Sequence, residues 1–289
     1  MTSRIYSSLA LIATLALSAL SLMGCNNQND MTIEYSKPSQ TEWDRFKQLH
    51  IAFGHQSVGN NLLAGVRSLA QEQNIDLPIA DSATTGDAVV IRQFPIGENG
   101  NPNSKLDAFR EALAQGAGSY ANVAQMKFCY IDFPTSVDPK ALAASYIQQT
   151  TELSIQYPNA VFVVTTTPLT TIQTGPKAWL KRALGKQPAG YAENLRRHEF
   201  NQALRSHYGS NPALFDLAAI ESLQGASSVD INNKSVEVLP PAITDDGGHL
   251  NDLGQRLVAS AWIRHLSTLK LSTHEEPMTN ENNSATVQP

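Results

Sequence analysis

Short apolar runs alternate with amphipathic helical segments through the middle of this chain. The runs, each predicted to be a strand, read "HIAFG", "IDLPIA", "MKFCYIDF", "NAVFVVTTTP" and "ALFDL". Parallel strands need crossover connections, and the helices of those connections cover both faces of the sheet. The pattern therefore predicts an α/β fold with a mostly parallel five-stranded sheet, and ligands in such folds bind at the carboxyl ends of the strands.

The first 25 residues have the composition of a secretory signal. Residues 1–25 read "MTSRIYSSLALIATLALSALSLMGC", with a basic start, an apolar centre and small residues at the end. The ending "LMGC" resembles a bacterial lipobox, which implies that Cys25 is the lipidated first residue of the mature protein. An ordinary signal peptide and an uncleaved anchor are the alternatives. Because Asn26 and not aspartate follows, the resemblance implies outer-membrane retention in a cell with two membranes.

Outside this leader, composition predicts three further segments. Residues 26–42 are polar and predict a tether, residues 43–271 a single folded domain, and residues 272–289 a disordered tail. The second cysteine, Cys129, lies in an apolar run and is predicted to be a buried, inert thiol. The net charge of −5, without a basic block, excludes nucleic acid as an expected partner.

The loop before the last helical segment carries the strongest chemical signal. It reads "TDDGGHLNDLG" and contains Asp246 and His249. A nucleophilic hydroxyl needs a base that takes its proton, and the base needs a carboxylate that fixes its tautomer. A D-x-x-H turn can supply both groups. Aspartate and glycine in a surface loop are, however, more commonly plain turn residues.

A serine after the first predicted strand is the candidate nucleophile. The segment "HIAFGHQSVGNN" places Ser57 between an apolar strand and a helical pattern. Serine is also a favoured helix N-cap, so local sequence alone leaves both roles open. A serine on a strand-to-helix turn, in a domain that a D-x-x-H-L motif closes, favours the nucleophile.

These two segments resemble motifs of the SGNH hydrolases, also called GDSL esterases and lipases. The resemblance extends from about His50 to Leu271. It implies a three-layer α/β/α sandwich, SGNH or flavodoxin-like, with Ser57 as nucleophile, His249 as base and Asp246 as the residue that orients the base. It also implies a serine esterase that requires no metal or organic cofactor.

Two motifs depart from the family pattern. "GHQS" stands where the family has G-D-S, and "CYIDF" stands where it has G-x-N-D, so the side-chain donor of the family's oxyanion hole is missing. In "PIGENGNP", Gly97 could supply a backbone N–H and Asn99 a side-chain amide to an oxyanion instead. The alternative is a Gly/Asn turn without a catalytic role.

Two further polar residues are candidates for substrate binding. His55 either lines the substrate pocket beside Ser57 or is a structural histidine bonded to a strand-end carbonyl. Asp132 either orients the loop of Ser57 or His55, or caps the loop before Asp138. A metal site made of His55, Asp132 and His249 has no supporting pair of ligands at helical spacing, so no metal is predicted.

A basic segment after the fourth predicted strand, "TGPKAWLKRALGKQPAGY", predicts a short amphipathic helix. It is either a lid or flap that meets a sugar or an anionic glycan, or a surface helix with Trp179 and Leu180 packed inward.

The sequence as a whole predicts a serine esterase acting on O-acyl groups, with acetyl esters of carbohydrates as the expected substrates. The alternative is a catalytically altered SGNH-like module that binds glycans or transfers O-acyl groups in envelope polysaccharide metabolism. The expected partners are a small-molecule or glycan ester and, through the lipid anchor, a membrane. The oligomeric state is not specified by the sequence.

Overall fold

The computed structural model describes residues 33–81 and 89–271. The predicted signal, residues 26–32 of the predicted tether and the predicted tail lie outside the described residues. The chain divides into two compact units, Met1–Glu34 and Tyr35–Pro289, and all elements below belong to the second unit.

Strands and helices alternate along this unit. The strands are β1 Ile51–His55, β2 Ile79–Ala80, β3 Ile91–Pro95, β4 Val123–Met126, β5 Val161–Thr165, β6 Leu214–Phe215, β7 Ser228–Ile231 and β8 Lys234–Glu237. The helices are α1 Gln40–Phe46, α2 Val58–Glu72, α3 Pro102–Ala112, α4 Pro139–Gln156, α5 Gly175–Ala183, α6 Tyr191–Tyr208, α7 Leu217–Glu221 and α8 Asp252–Ser267. Short helical turns cover Leu113–Ala117, Gly118–Tyr120, Tyr130–Asp132 and Pro241–Ile243.

The central sheet has six strands in the order β2-β3-β1-β4-β5-β6, and every pairing within it is parallel. The parallel α/β architecture predicted from the sequence is therefore confirmed, with six strands instead of five. β7 and β8 form a separate antiparallel hairpin. Strand β1 is buried along its whole length, as expected for a parallel strand covered on both faces.

The strand of the central sheet that the sequence did not predict is β3. Its run is interrupted by Arg92 and Gln93, which break the apolar pattern. The structure buries Arg92, with the guanidinium carbon 4.1 Å from the centre of the Tyr120 ring. This cation–π contact accompanies the burial of the charged side chain, and hydrophobic patterning does not anticipate it.

Helices cover both faces of the sheet. On one face α8 packs on α1, α2 and α7, and on the other α4 packs on α3 and α6. Trp262 of α8 anchors the first layer, with its ring 5.5 Å from that of Phe46 and 5.4 Å from that of Phe53. No helix among the described residues is long and apolar enough to cross a membrane.

Strand β4 ends earlier than predicted. The run "MKFCYIDF" was expected to be a strand, but its pairing with β1 stops at the pair Gly54–Met126. The chain then leaves the sheet, with one further backbone bond from Lys127 to the Gly54 carbonyl at 3.2 Å. Residues 127–132 therefore form a strand-end segment at the carboxyl edge of the sheet.

The predicted boundary between tether and domain at residue 43 lies inside α1. Helix α1 begins at Gln40, and Ser39 and Glu42 form a reciprocal capping box at its start. The carbonyl of Ser36 accepts hydrogen bonds from Ser260 and from Arg264. The last residues of the predicted tether are thus part of the folded unit, because their backbone is bonded to α8.

Candidate active site

Ser57 lies at the turn between β1 and α2, at the carboxyl end of the sheet. Its φ is 55°, in a region that non-glycine residues rarely occupy. The side chain occupies the N-cap position of α2 but makes no capping hydrogen bond. Its Oγ lies instead 2.7 Å from Nε2 of His249. The N-cap alternative is therefore wrong for the side chain, although the residue does begin the helix.

The ring of His249 bridges Ser57 and Asp246. Nδ1 of His249 lies 2.6 Å from Oδ2 of Asp246. A carboxylate in this position accepts the Nδ1 proton and leaves Nε2 free to accept a proton from the serine. The structure thus brings together the three side chains that the sequence nominated as a triad, and their catalytic roles remain a prediction.

The carboxylate of Asp246 also organises its own turn. Its Oδ1 accepts backbone N–H bonds from Gly248 at 2.9 Å and His249 at 2.7 Å. The bond to the His249 side chain, followed by these backbone bonds, holds the pKa of Asp246 well below its ordinary value. The carboxylate therefore stays ionised, as an orienting group must.

The loop of Asp246 and His249 is tied to its surroundings by three polar residues. Thr244 donates to the His249 carbonyl at 2.5 Å and accepts the Gly247 N–H at 3.0 Å. Asn61 of α2 accepts the Leu250 N–H at 3.2 Å. The N–H of Thr171, after β5, donates to the Gly247 carbonyl at 2.8 Å. These bonds fix the loop against the segments that follow β1 and β5.

Gly97 lies in the turn after β3, beside the Ser57 turn. Its φ is 49°, and a Cβ at this position would come within 2.5 Å of the Ser104 backbone, so only glycine fits. The side-chain amide of Gln56 donates to the carbonyls of Ile96, at 2.7 Å, and Gly97, at 2.5 Å. Gln56, which precedes Ser57, therefore fixes the turn that carries Gly97, the predicted oxyanion donor.

Asp132 is fully buried, so its side chain is not accessible to a substrate. It pairs with Lys105 at 2.6 Å, and both side chains are completely buried. It also accepts the N–H groups of Gly100, at 2.8 Å, and Cys129, at 2.6 Å. The predicted substrate-binding role of Asp132 is therefore corrected: it joins the loop after β3 to the segment after β4. Asn99, predicted beside Gly97, is exposed and accepts from Lys105 at 2.9 Å.

His55 is also buried, at the end of β1 beneath α2. Its ring packs against Phe53, with centroids 4.5 Å apart, and leaves no room for a Cβ at Gly59. Burial, and then the neighbouring Lys127, lowers the pKa of His55 to about 4. The predicted role of His55 in lining the pocket is corrected. His55 is a neutral histidine in the core, as the structural alternative proposed, but its ring does not make the expected hydrogen bond to a strand-end carbonyl.

Tyr130 is a site residue that the sequence did not nominate. Its ring meets that of His249 edge to face, with centroids 5.6 Å apart, and covers Gly248 so closely that no Cβ would fit there. Burial raises the pKa of its hydroxyl, so the hydroxyl remains a proton donor. The signal was its place in "CYIDF", the segment where the asparagine of the family motif is missing.

A cleft of about 630 Å³ opens beside Tyr130. It is bounded by the segment after β4, the segment after β5 and the start of α6, and its lining residues are Tyr130, Ile131, Phe133, Pro134, Thr170, Thr171, Ile172, Gln173, Ala189, Gly190, Glu193 and Arg197. Arg197 braces this region by donating to the Tyr130 carbonyl at 2.8 Å and to Thr170 at 2.6 Å. The lining of the cleft combines apolar and polar side chains.

No cluster of metal-ligating side chains occurs among the described residues. Cys129 is buried, as predicted from its apolar surroundings, and its Sγ lies 3.6 Å from the Gln56 carbonyl.

Comparisons with known proteins give only distant structural likenesses. No family model and no curated protein matches the chain. A candidate platelet activating factor from Streptococcus pneumonia is similar at 12% identity and a TM-score of 0.45, over 89% of this chain and 99% of that one. A candidate lipolytic protein of the G-D-S-L family from Desulfitobacterium hafniense DCB-2 is similar at 11% identity and a TM-score of 0.42, over 74% and 97%. A catalytic mutant of Axe2, an acetylxylan esterase from Geobacillus stearothermophilus, is similar at 11% identity and a TM-score of 0.45, over 78% and 98%. At this distance the likenesses do not assign an activity.

Proposed function

We propose that this chain is a serine esterase of the SGNH type that hydrolyses O-acyl esters with Ser57, His249 and Asp246. The observation that carries the proposal is the continuous contact from Ser57 Oγ to His249 Nε2, at 2.7 Å, and from His249 Nδ1 to Asp246, at 2.6 Å. A serine bonded to an imidazole that a carboxylate orients is the arrangement that activates a hydroxyl for attack on a carbonyl.

The reaction divides into two acyl transfers. His249 Nε2 takes the proton of Ser57 while Oγ bonds to the ester carbonyl carbon, and the carbonyl oxygen becomes an oxyanion. The C–O bond to the alcohol then breaks, and His249 returns the proton to the leaving alcohol. Water, deprotonated by His249, attacks the acyl-enzyme and releases the acid, which restores the Ser57 hydroxyl.

The oxyanion needs donors close to Ser57. We assign this role to the Gly97 N–H and the Asn99 amide, as the sequence suggested, together with the Tyr130 hydroxyl. The support is that Gln56 ties the Gly97 turn to the Ser57 turn and that the Tyr130 ring lies against the ring of His249. Tyr130 would take the place of the asparagine absent from the third motif.

We propose a carbohydrate as the alcohol portion of the ester and a short acyl group such as acetyl. The support is the composition of the cleft, where Tyr130, Ile131 and Phe133 offer an apolar platform and Gln173 and Glu193 offer polar edges. Sugar rings present the same combination of an apolar face and hydroxyl edges. An envelope location with lipidation at Cys25 is proposed on the leader sequence alone.

A fluorophosphonate probe tests the nucleophile. We expect the probe to label the wild-type protein and not Ser57→Ala, and we expect Ser57→Ala to lower kcat/KM for 4-nitrophenyl acetate by at least about 1000-fold. Ser154→Ala, which changes an exposed serine on α4, is the matched control and should retain both properties. Labelling that persists in Ser57→Ala, or a folded wild type that is never labelled, would refute the proposal.

A further inference from the structure

Helix α5 and its C-cap residue Leu184 expose most of the large apolar side chains found at the surface of the described residues. Trp179 is 70% exposed, Leu180 53% and Leu184 65%. Among the described residues, the other exposed large apolar side chains are Ile131, in the cleft, and Ile155, alone on α4. The inward packing predicted for Trp179 and Leu180 is therefore wrong. A cluster of exposed apolar side chains marks an interaction surface.

The apolar side chains of α5 share the face that points away from the protein. Ala178 is the buried residue of this helix. At roughly 100° per residue, Trp179, Leu180 and Leu184 fall between about 100° and about 240° from Ala178 around the helix axis. The apolar arc is therefore centred nearly opposite the packed side of α5, where nothing else in the described chain covers it.

Basic residues border this apolar arc. On the same projection, Lys177 and Lys181 flank one side and Arg182 the other. Residues 174–192 contain four basic residues and no acidic one, in a chain whose net charge is −5. An apolar face that carries a tryptophan, bordered by basic side chains, is the pattern of a helix that lies in the plane of a membrane surface.

The helix is held beside the mouth of the cleft. The N–H of Gln173 donates to the Ala189 carbonyl at 2.9 Å, and the N–H of Ala189 donates to the Gln173 side chain at 3.3 Å. Both residues also line the cleft. Residues 174–188 therefore form a loop whose two ends are hydrogen-bonded to each other beside the cleft. Docking through α5 would bring the cleft close to the docking surface.

We propose that α5 docks the protein on an anionic lipid bilayer, with Trp179, Leu180 and Leu184 inserted at the interface and the flanking basic side chains on lipid phosphates. The positive charge of the segment complements such a surface. Nine helical residues are too few for stable membrane binding alone, so α5 acts as a second contact beside the predicted lipid at Cys25. The docking does not depend on esterase activity.

Tryptophan fluorescence tests the proposal in the full-length chain. The protein has three tryptophans, and Trp43 and Trp262 are fully buried, so Trp179 alone reports contact with solvent or lipid. Reconstituted into vesicles of phosphatidylcholine and phosphatidylglycerol, the wild type should show a blue-shifted Trp179 component that brominated lipids quench. The shift should be weaker in phosphatidylcholine alone, at high salt, and after Lys177→Gln with Lys181→Gln.

Two variants make the result decisive. Trp179→Phe should remove the quenched component and leave thermal unfolding unchanged, since the side chain is exposed. Ile155→Trp in the Trp179→Phe background places a tryptophan at the other exposed apolar site, and it should not be quenched. Quenching that is equal in the wild type and Trp179→Phe, or equal for Ile155→Trp, would overturn the proposal. So would a Trp179 shift with soluble alginate, an anionic polysaccharide, that vesicles do not produce.

Discussion

Ser57 occupies a backbone conformation that a helix cap does not require. A non-glycine residue at φ 55° costs on the order of 1 to 3 kcal/mol. The turn is kept in this geometry because β1 is buried on one side and α2 begins directly on the other. The strain accompanies a side chain that points to His249 instead of its own helix. Such strain at a strand-to-helix turn is typical of an exposed nucleophile.

Tyr130 is expected to contribute to the rate through its hydroxyl. Tyr130→Phe keeps the ring against Gly248 and His249 but removes the donor, so kcat for 4-nitrophenyl acetate should fall by about 10- to 100-fold with KM nearly unchanged. The measurement is steady-state kinetics at several pH values. Tyr157→Phe, whose hydroxyl lies on a surface turn before β5, is the control and should leave kcat unchanged. An unaltered kcat in Tyr130→Phe would reduce the tyrosine to a packing role.

At the scale of elements, a buried ion pair joins two strand-end loops. Lys105 enters from α3 and Asp132 from the turn after β4, and the carboxylate also accepts the N–H of Gly100. The two loops carry Gly97 and Tyr130, so their spacing depends on this pair. The acidic residue was visible in the sequence, but its partner lies 27 residues away and only the packing of α3 shows the pairing.

Removing one member of this ion pair should destabilise the protein more than removing both members. Asp132→Asn keeps one acceptor oxygen for the backbone N–H groups of Gly100 and Cys129, loses the other, and leaves Lys105 as an unpaired buried charge. It should cost about 3 to 5 kcal/mol of unfolding free energy. Lys105→Met combined with Asp132→Asn removes that charge and should recover part of the loss. Urea denaturation followed by tryptophan fluorescence measures both. A double variant no more stable than Asp132→Asn would show that the charge is not the cause.

At the scale of the whole molecule, the candidate site depends on the order of the strands. Ser57 and His249 are 192 residues apart in the chain. They meet because β1 lies inside the sheet and α8 packs on α2, which brings the loop before α8 over the end of β1. The ends of β1, β3, β4 and β5 therefore converge on one edge, as ligand sites in parallel sheets do.

Burial of His55 should make global stability fall in mild acid. The unfolded chain takes up a proton at this histidine below about pH 6.5, whereas the folded protein, with a pKa of about 4, does not. Protonation thus favours unfolding, and stability should drop as pH falls from 6.5 to 4, by up to about 3 kcal/mol. His55→Leu should flatten this slope in urea unfolding at several pH values. The exposed His207→Gln should keep it, and an unchanged slope in His55→Leu would contradict the assignment.

The sequence alone determined the α/β class, most strands and helices, and the three polar residues of the proposed triad, because hydrophobic periodicity and short motifs are local properties. Tertiary structure decided the rest. It added β3, in which Arg92 is buried with a cation–π contact to Tyr120; it moved His55 and Asp132 from the site into the core; and it placed Tyr130 against His249. Each of these outcomes depends on which distant residues the folded chain brings into contact, and that is not encoded in any single stretch of sequence.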